Sequence, residues 1–429
     1  NICYNSNGAI STSSMGTQGD DSITSGSTVT LWANNFKNPT GYGFAGWSTT
    51  ANYVANSTVY YGPNEDITAP DSISQNGLML YANWIKADED YTMQTFSQAV
   101  CDAKLNSGDV MALRDIRDDN TYAIAKLADG KCWMIENLRL GNYKTDGTTP
   151  TETLSSINTN VPTDWQGMKL NYGDANYQKQ LSPSNDTAEY WCNDPDQASC
   201  YDQSRLNSNN TISPVNSLTD PKTQNVYSYG NYYNWYSATA GYGTQDNANT
   251  TQVGNTANYD INNNYSLCPA SWKLPSGGNT GTGSSLNPAG TRNVTGAPST
   301  FGDFYKLGYV LMGSNKTARD DALNNGYPYY STGQINTVTS SYSGTFAGKS
   351  LSGLTATKVF RIYPNNFLFS GGQNSASTTN RGSVGDYWSS TARTTRNAYG
   401  VRLNASNVYP GTNYLDRYYG SSVRCLIGS

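Results

Sequence analysis

Residues 110–140 read VMALRDIRDDNTYAIAKLADGKCWMIENLRL, two strands around a turn. Tyr122, Ile124 and Lys126 alternate with Ala123, Ala125 and Leu127, and a period of two residues is the signature of a strand. Ala128–Lys131 makes the turn, and the next strand runs from Cys132 to Leu138. Upstream, Phe96, Val100 and Leu105 fall on one side of an expected short helix, behind a charged linker, Lys86–Tyr91. Downstream, Thr300 is placed to cap a helix over Phe301–Met312, with Phe304, Leu307, Val310 and Leu311 as its buried face. At the amino end, Ser27–Trp32 and Leu78–Trp84 are strand-like, and Gly41, Gly43 and Gly46 surround Phe44 and Trp47. The expected organisation is a small β module at 1–86, a linker with a short helix at 87–109, and a larger domain at 110–429.

Composition narrows the chemistry. The 429 residues include no histidine, which removes Ser-His-Asp and Cys-His nucleophiles, His-ligated zinc and imidazole acid–base work. Charged residues are 14%, against roughly 25% in an average soluble domain. In their place stand 34 Tyr, 41 Gly and some 50 Asn. The net charge of −5 leaves no basic footprint for nucleic acid. Apolar runs such as Leu78–Leu80 and Val310–Met312 are too short to span a bilayer. Membrane attachment is expected only through an anchor outside this chain, which reads as a mature or excised portion of a longer protein.

Seven cysteines lie at 3, 101, 132, 192, 200, 268 and 425, with no CxxC pair. Wide spacing favours disulfides and an oxidising compartment. Cys192 and Cys200 could close a local loop, Cys268 and Cys425 would join distant segments, and Cys101 with Cys132 remains, leaving Cys3 odd; free buried thiols are the alternative. The carboxylates Asp115, Asp118 and Asp119, and Asp194 with Asp196, are expected as caps or solvated turns. No ordered acid/base pair for a glycosidase stands out. No cofactor is expected, and a metal using these oxygens would be structural calcium. EF-hand, P-loop and dinucleotide templates do not match. The Gly-rich stretch 277–285 reads as a flexible loop, and the sequons at Asn56, Asn185 and Asn249 carry no inference in a chain so rich in Asn and Thr.

Two resemblances add to this reading. Phe44, Gly46, Trp47 and Thr49, followed by Leu78, Leu80, Tyr81, Ala82 and Trp84, resemble the Listeria–Bacteroides, or internalin-type B, repeat. That resemblance covers nearly all of 1–86 and implies a β-grasp-like spacer, with Trp47 and Trp84 as core. The second rests on five ordered motifs. They are Asp118 and Tyr122; Trp133, Met134, Glu136, Asn137 and Leu138; Tyr229, Gly230, Tyr233, Asn234 and Trp235; Cys268, Pro269, Trp272, Leu274, Pro275 and Ser276; and Trp388, Ser389 and Ser390 with Ser422–Cys425. These resemble the Fibrobacter succinogenes major paralogous domain. The resemblance implies an α+β, C-type-lectin-like domain with long insertions at Asn142–Asn264 and Gly277–Ser299, and it implies that Cys268 and Cys425 are neighbours. The tripeptides of calcium-bridged sugar binding in C-type lectins are absent. The related formylglycine-generating enzymes use a reactive cysteine pair, for which no candidate with an activating neighbour stands out.

The tail, 386–424, carries the functional expectation. Tyr387, Arg393, Thr394, Thr395, Arg396, Asn397, Tyr399, Tyr409, Thr412, Asn413, Tyr414, Asp416, Tyr418 and Tyr419 are the side chains paratopes use. Arg393, Arg396 and Arg417 are candidate charged anchors. The segment also resembles the variable region of diversity-generating retroelement proteins, which display mutated Asn codons on a C-type-lectin-like scaffold. The expected protein is an extracellular, cell-surface ligand-binding module, with no enzyme activity. Its partner would be a host or bacterial surface protein or glycan. The alternatives are a polysaccharide-binding or structural surface protein, with Trp235 or Trp191 stacking on sugar, and, remotely, a formylglycine-generating-type enzyme.

Overall fold

The computed structural model describes residues 1–8, 15, 17–18, 23–51, 60–73, 77–140, 144–146, 149–167, 190–192, 227–240, 265–277, 302–311, 344–374, 377–392, 397–406, 408–417 and 419–428. In chain order the strands are β1 (Ile2–Asn5), β2 (Thr17–Gln18), β3 (Thr28–Thr30), β4 (Tyr42–Ser48), β5 (Tyr60–Tyr61), β6 (Asp66–Thr68), β7 (Leu78–Thr92), β8 (Val110–Arg114), β9 (Thr121–Lys126), β10 (Cys132–Met134), β11 (Tyr190–Cys192), β12 (Asn231–Tyr233), β13 (Trp272–Lys273), β14 (Thr345–Phe346), β15 (Lys349–Ser350), β16 (Gly372–Asn374), β17 (Ser377–Thr379), β18 (Val384–Ala392), β19 (Asn397–Asn404), β20 (Val408–Asp416) and β21 (Leu426–Ile427). The helices are α1 (Gln98–Lys104), α2 (Trp235–Ala238), α3 (Asp303–Leu311) and α4 (Ala356–Arg361). The chain is mixed α+β and mostly strand. Among the described residues no helix is long and apolar enough to cross a membrane.

The central sheet has the order β13-β21-β10-β9-β8-β7-β1-β2, with β4 added beside β7 and β5 beside β4. Its middle strands are buried on both faces. From β9, Tyr122 and Ile124 enter one core with Met134, Trp272 and Cys268, while Ala123 and Ala125 enter a second with Trp133, Phe304 and Phe360. The small side chains face the side where the backbone of β4 comes close. A Cβ on Gly43 would sit 2.4 Å from the Ala123 nitrogen, so only glycine allows that approach. Helix α1 is capped by Ser97, whose Oγ accepts from Val100 N, and it buries Cys101. On the second core, α3 buries Phe304, Leu307 and Leu311, while Val310 is only half-buried; the expected helix ends, Phe301 and Met312, lie outside the described residues.

Two disulfides lie in the first of these cores: Cys101–Cys132 and Cys268–Cys425. Cys3 carries a free, half-buried thiol. Most motif residues are scaffold: Tyr122, Trp133, Asn137, Tyr233, Trp235, Trp272, Trp388 and Arg424 are all fully buried.

The expected linker is replaced by strand. β7 runs without a break through Lys86–Tyr91, pairing antiparallel with β4 and then parallel with β8 at Ala87 and Thr92. Between those two pairings Asp88 Oδ1 accepts from Asp90 N and Tyr91 N at 2.9 and 3.0 Å, so the polar run closes its own bulge and polarity did not exclude a strand. Further ties join the amino-terminal module to later chain. Arg361 donates to Asp66 through Nη1 and Nη2 at 3.0 and 2.8 Å. Asn366 Nδ2 donates to Ala45 O at 2.8 Å. Glu136, 2% exposed, accepts from Phe44 N, Ala123 N, Asn38 Nδ2 and Arg139 Nη1 at 3.0, 2.7, 3.1 and 3.0 Å. The side chains of Trp191 and Cys192, Cys200, Asp194, Asp196, the Thr300 cap, residues 278–299 and the three sequons lie outside the described residues.

Candidate functional site

The tail folds as a three-stranded antiparallel sheet, β18-β19-β20. One face is core: Ala398, Val401, Leu403 and Val408 are at most 1% exposed. Residues directly opposite across an antiparallel pair share a face. Tyr399 stands opposite Tyr414, Asn397 opposite Asp416, and Arg402 opposite Tyr409. A bulge between Gly400 and Arg402 moves the outward register from Asn397 and Tyr399 onto Arg402. Of these outward residues Tyr414 is the most open, 48% exposed, and the others are half-buried.

The outer face is held in place by polar bonds. Asn397 Nδ2 donates to Asp416 Oδ1. Arg402 donates from Nε and Nη2 to the two Asp386 oxygens, both at 2.8 Å, a fork that fixes the guanidinium plane. Burial pushes the Asp386 carboxyl above its usual value although Arg402 opposes this. Ser389 Oγ donates to Tyr399 O at 2.7 Å, and Trp388 Nε1 to Tyr233 O at 2.6 Å, so the Trp-Ser pair supports the sheet from beneath.

The sequence candidates divide accordingly. Asn397, Tyr399, Tyr409, Asn413, Tyr414 and Asp416 come together on β19 and β20, with half-buried Tyr419 just beyond. Arg393, Thr394, Thr395, Arg396 and Tyr418, and the Thr412 side chain, lie outside the described residues. Two candidates are corrected. Tyr387 is 1% exposed and its hydroxyl is engaged with Leu368 N and O at 2.8 and 3.3 Å. Arg417 is fully buried over the Trp235 ring, 4.4 Å from its centroid. Neither reaches a surface ligand. Trp235, fully buried with Nε1 on Ser389 O, is likewise unavailable to stack on a polysaccharide. Arg402 was missed; alternation from Asn397 and Tyr399 would have turned it inward without the bulge.

The carboxylate cluster before β9 is no solvated turn. Asp115 and Asp118 are fully buried. Asp115 takes the Arg117 guanidinium at 2.6–3.1 Å, and Asp118 accepts from Asn120 N and Nδ2 at 3.0 and 2.8 Å. Among the described residues, no three Cys, Asp or Glu are arranged to hold a metal. Burial, and then the Asp115 charge, push the Asp118 carboxyl from 3.8 to about 7. Burial likewise raises Asp129 to about 7, although Lys131 N and Trp133 Nε1 donate to it. A carboxyl raised in the folded state binds its proton more tightly there, so its stabilising effect is full below the unfolded value and is lost as pH climbs through about 7. Melting temperature is therefore expected to rise between about pH 8 and pH 5.5. Asp118→Asn should shrink that rise, and an unchanged pH dependence in the variant would contradict it.

Cys268 and Cys425 are fully buried and bonded to each other, so neither presents a thiol to solvent. Comparison with protein-family models, with curated proteins and with solved structures finds no match to this chain.

Proposed function

We propose that this chain is an extracellular, cell-surface ligand-binding protein of bacterial adhesin type. In this reading a C-type-lectin-like head displays the outer face of β18-β20, and the amino-terminal β module belongs with internalin-type repeats. It acts by binding and not by catalysis, needs no cofactor, and engages a host or bacterial surface protein or glycan. One observation carries the reading. Three tyrosines, an Asn–Asp pair and a forked arginine share the outward face of a sheet whose other face is locked into the core. Tyrosine offers broad amphipathic contact with few rotors, and Asn, Asp and Arg add directional bonds. Such a surface accepts side-chain replacement without loss of the scaffold, as the retroelement-diversified reading of the tail requires.

Tyr414→Ala is expected to weaken binding to the captured surface partner by about 1–3 kcal/mol if Tyr414 is a hot spot. The measurement is surface plasmon resonance of wild type and of single alanine variants at Tyr399, Tyr409 and Tyr414. No loss for any of the three would reject this face as the site. A reverse transcriptase gene and a near-copy of the tail in the adjoining DNA would support diversification; paralogues that vary evenly across 110–429 would reject it.

A further inference from the structure

We propose that Lys131, Lys273 and Lys306 form a second binding site, for a single anionic group: the sulfate or carboxylate of an acidic sugar, or the same oxyanion free in solution. The site does not rest on the role given to the tail sheet, and none of its residues belongs to that sheet.

Three separate elements bring the cations together. Lys273 on β13 and Trp133 on β10 each stand directly opposite Leu426 on β21, so all three side chains share one face of the central sheet. Helix α3 lies on that face, with Phe304 against the Trp133 ring at 5.5 Å between centroids. Asp303, just before Phe304, reaches Lys273 Nζ at 3.1 Å. Lys306 follows one turn along on the same flank of the helix, where i and i+3 side chains are neighbours. The turn after β9 closes the other side. There Asp129 accepts from Trp133 Nε1 at 2.9 Å and from Lys131 N at 3.1 Å, which pins the Lys131 turn to the edge of the same indole.

Charge in this cluster is unbalanced. Asp303 already accepts from Ser276 N and Oγ, both at 2.9 Å, as well as from Lys273. Asp129 is held by its two N–H donors, and burial raises it to about 7, so near neutral pH it carries only part of its charge. Asp102, a further carboxylate in the field of Lys131, pairs with Lys126 at 2.7 Å. Among the described residues, no carboxylate lies within ion-pair distance of the Lys131 or Lys306 ammonium, and both residues are half-buried. Burial lowers the Lys306 pKa; Asp303 opposes this, while the like charges of Lys273 and Lys131 add to it. An incoming anion stabilises a partly desolvated cation that is short of counter-charge and flanked by two more. In a chain of net charge −5 the cluster is a local reversal of sign. A neutral ligand would gain nothing from it.

The full chain should be titrated at constant ionic strength with sodium sulfate, glucuronate and glucose 6-sulfate, with glucose as the neutral control, read by isothermal titration calorimetry. At least one anion is expected to bind, and glucose is not. An acidic sugar that binds tighter than sulfate would identify a glycan as the source; equal or weaker binding would identify the free oxyanion. Lys306→Met and Lys131→Met should each weaken binding by about tenfold, equivalent to ~1.4 kcal/mol, the loss of one charge-assisted bond. Lys306→Met removes a half-buried ammonium that lacks a counter-charge, so without anion it should melt no lower than wild type. Lys86→Met, which removes an exposed lysine outside the cluster, should bind as wild type does. Four results would overturn the proposal: no anion binds above the glucose control, binding is indifferent to both cluster variants, Lys86→Met weakens it as much as they do, or Lys306→Met is less stable than wild type.

Discussion

Replacing Cys268 and Cys425 together by alanine is expected to lower unfolding stability by about 5 kcal/mol, the larger loss of the two described disulfides. The bond closes 157 residues, whereas Cys101–Cys132 closes 31. Loop-closure entropy grows with the logarithm of loop length, so the shorter bridge is expected to contribute about 4 kcal/mol. Position adds to the contrast. Cys425 O accepts from Met134 N at 2.9 Å, and Val423 O from Leu138 N at 2.9 Å. Just before them, Ser421 exchanges bonds with Tyr233, and Ser422 O accepts from Trp388 N. Opening the bridge therefore loosens the segment that fastens the tail sheet to the central sheet. Guanidinium unfolding of both double-alanine variants measures the difference. A smaller loss at 268/425 than at 101/132 would contradict the account.

What could be read along the sequence was local, and what could not was paired at a distance. The alternation at Tyr122–Leu127 announced β9 and its register. It could not announce that both faces are covered, because the second layer comes from α3 and α4, more than 170 residues later. The charged run Lys86–Tyr91 has the composition of a linker, yet β4 pairs with it at Lys86 and β8 at Ala87, and β8 resumes the pairing just beyond it at Thr92. Asp115 and Asp118 looked like turn residues for water to cover. Arg117, two positions on, turns inward with Asp115 and also donates to Leu267 O at 2.6 Å, which buries the cluster.

The tail follows the same logic. Its Tyr/Asn/Arg content pointed to a recognition surface, and the sheet does gather Asn397, Tyr399, Tyr409, Tyr414 and Asp416 on one face. Composition cannot divide inward from outward tyrosines. Tyr387 turns inward because Leu368 satisfies its hydroxyl, and Arg417 because Trp235 offers its ring. Both partners are remote in sequence from any local pattern. The bulge that turns Arg402 outward is equally silent in the one-dimensional pattern, since a single extra residue reverses the facing of everything beyond it.

Glu136→Ala is expected to cost about 3–5 kcal/mol, the range for breaking a buried ion pair from one side. All four of its partners are donors: Phe44 N, Ala123 N, Asn38 Nδ2 and Arg139 Nη1. Removing the carboxylate strands two backbone N–H groups between β4 and β9 and leaves the Arg139 charge on Thr121 O and the Tyr122 and Tyr227 rings. Glu136→Gln separates charge from shape. The amide keeps the volume but turns an NH2 toward groups that are already donors, so it should recover little. A Gln variant within about 1 kcal/mol of wild type would mean that acceptor count matters less here than volume. Because Phe44, on β4, and Asn38 belong to the amino-terminal module while Ala123 lies on β9 and Arg139 in the segment after β10, the loss should fall on the joint between them. Hydrogen exchange at the Phe44 and Ala123 amides should speed up more in Glu136→Ala than at Ile2–Asn5, which pair with β7 on its other side. Equal acceleration at both places would show that the carboxylate stabilises the chain globally and not at that joint.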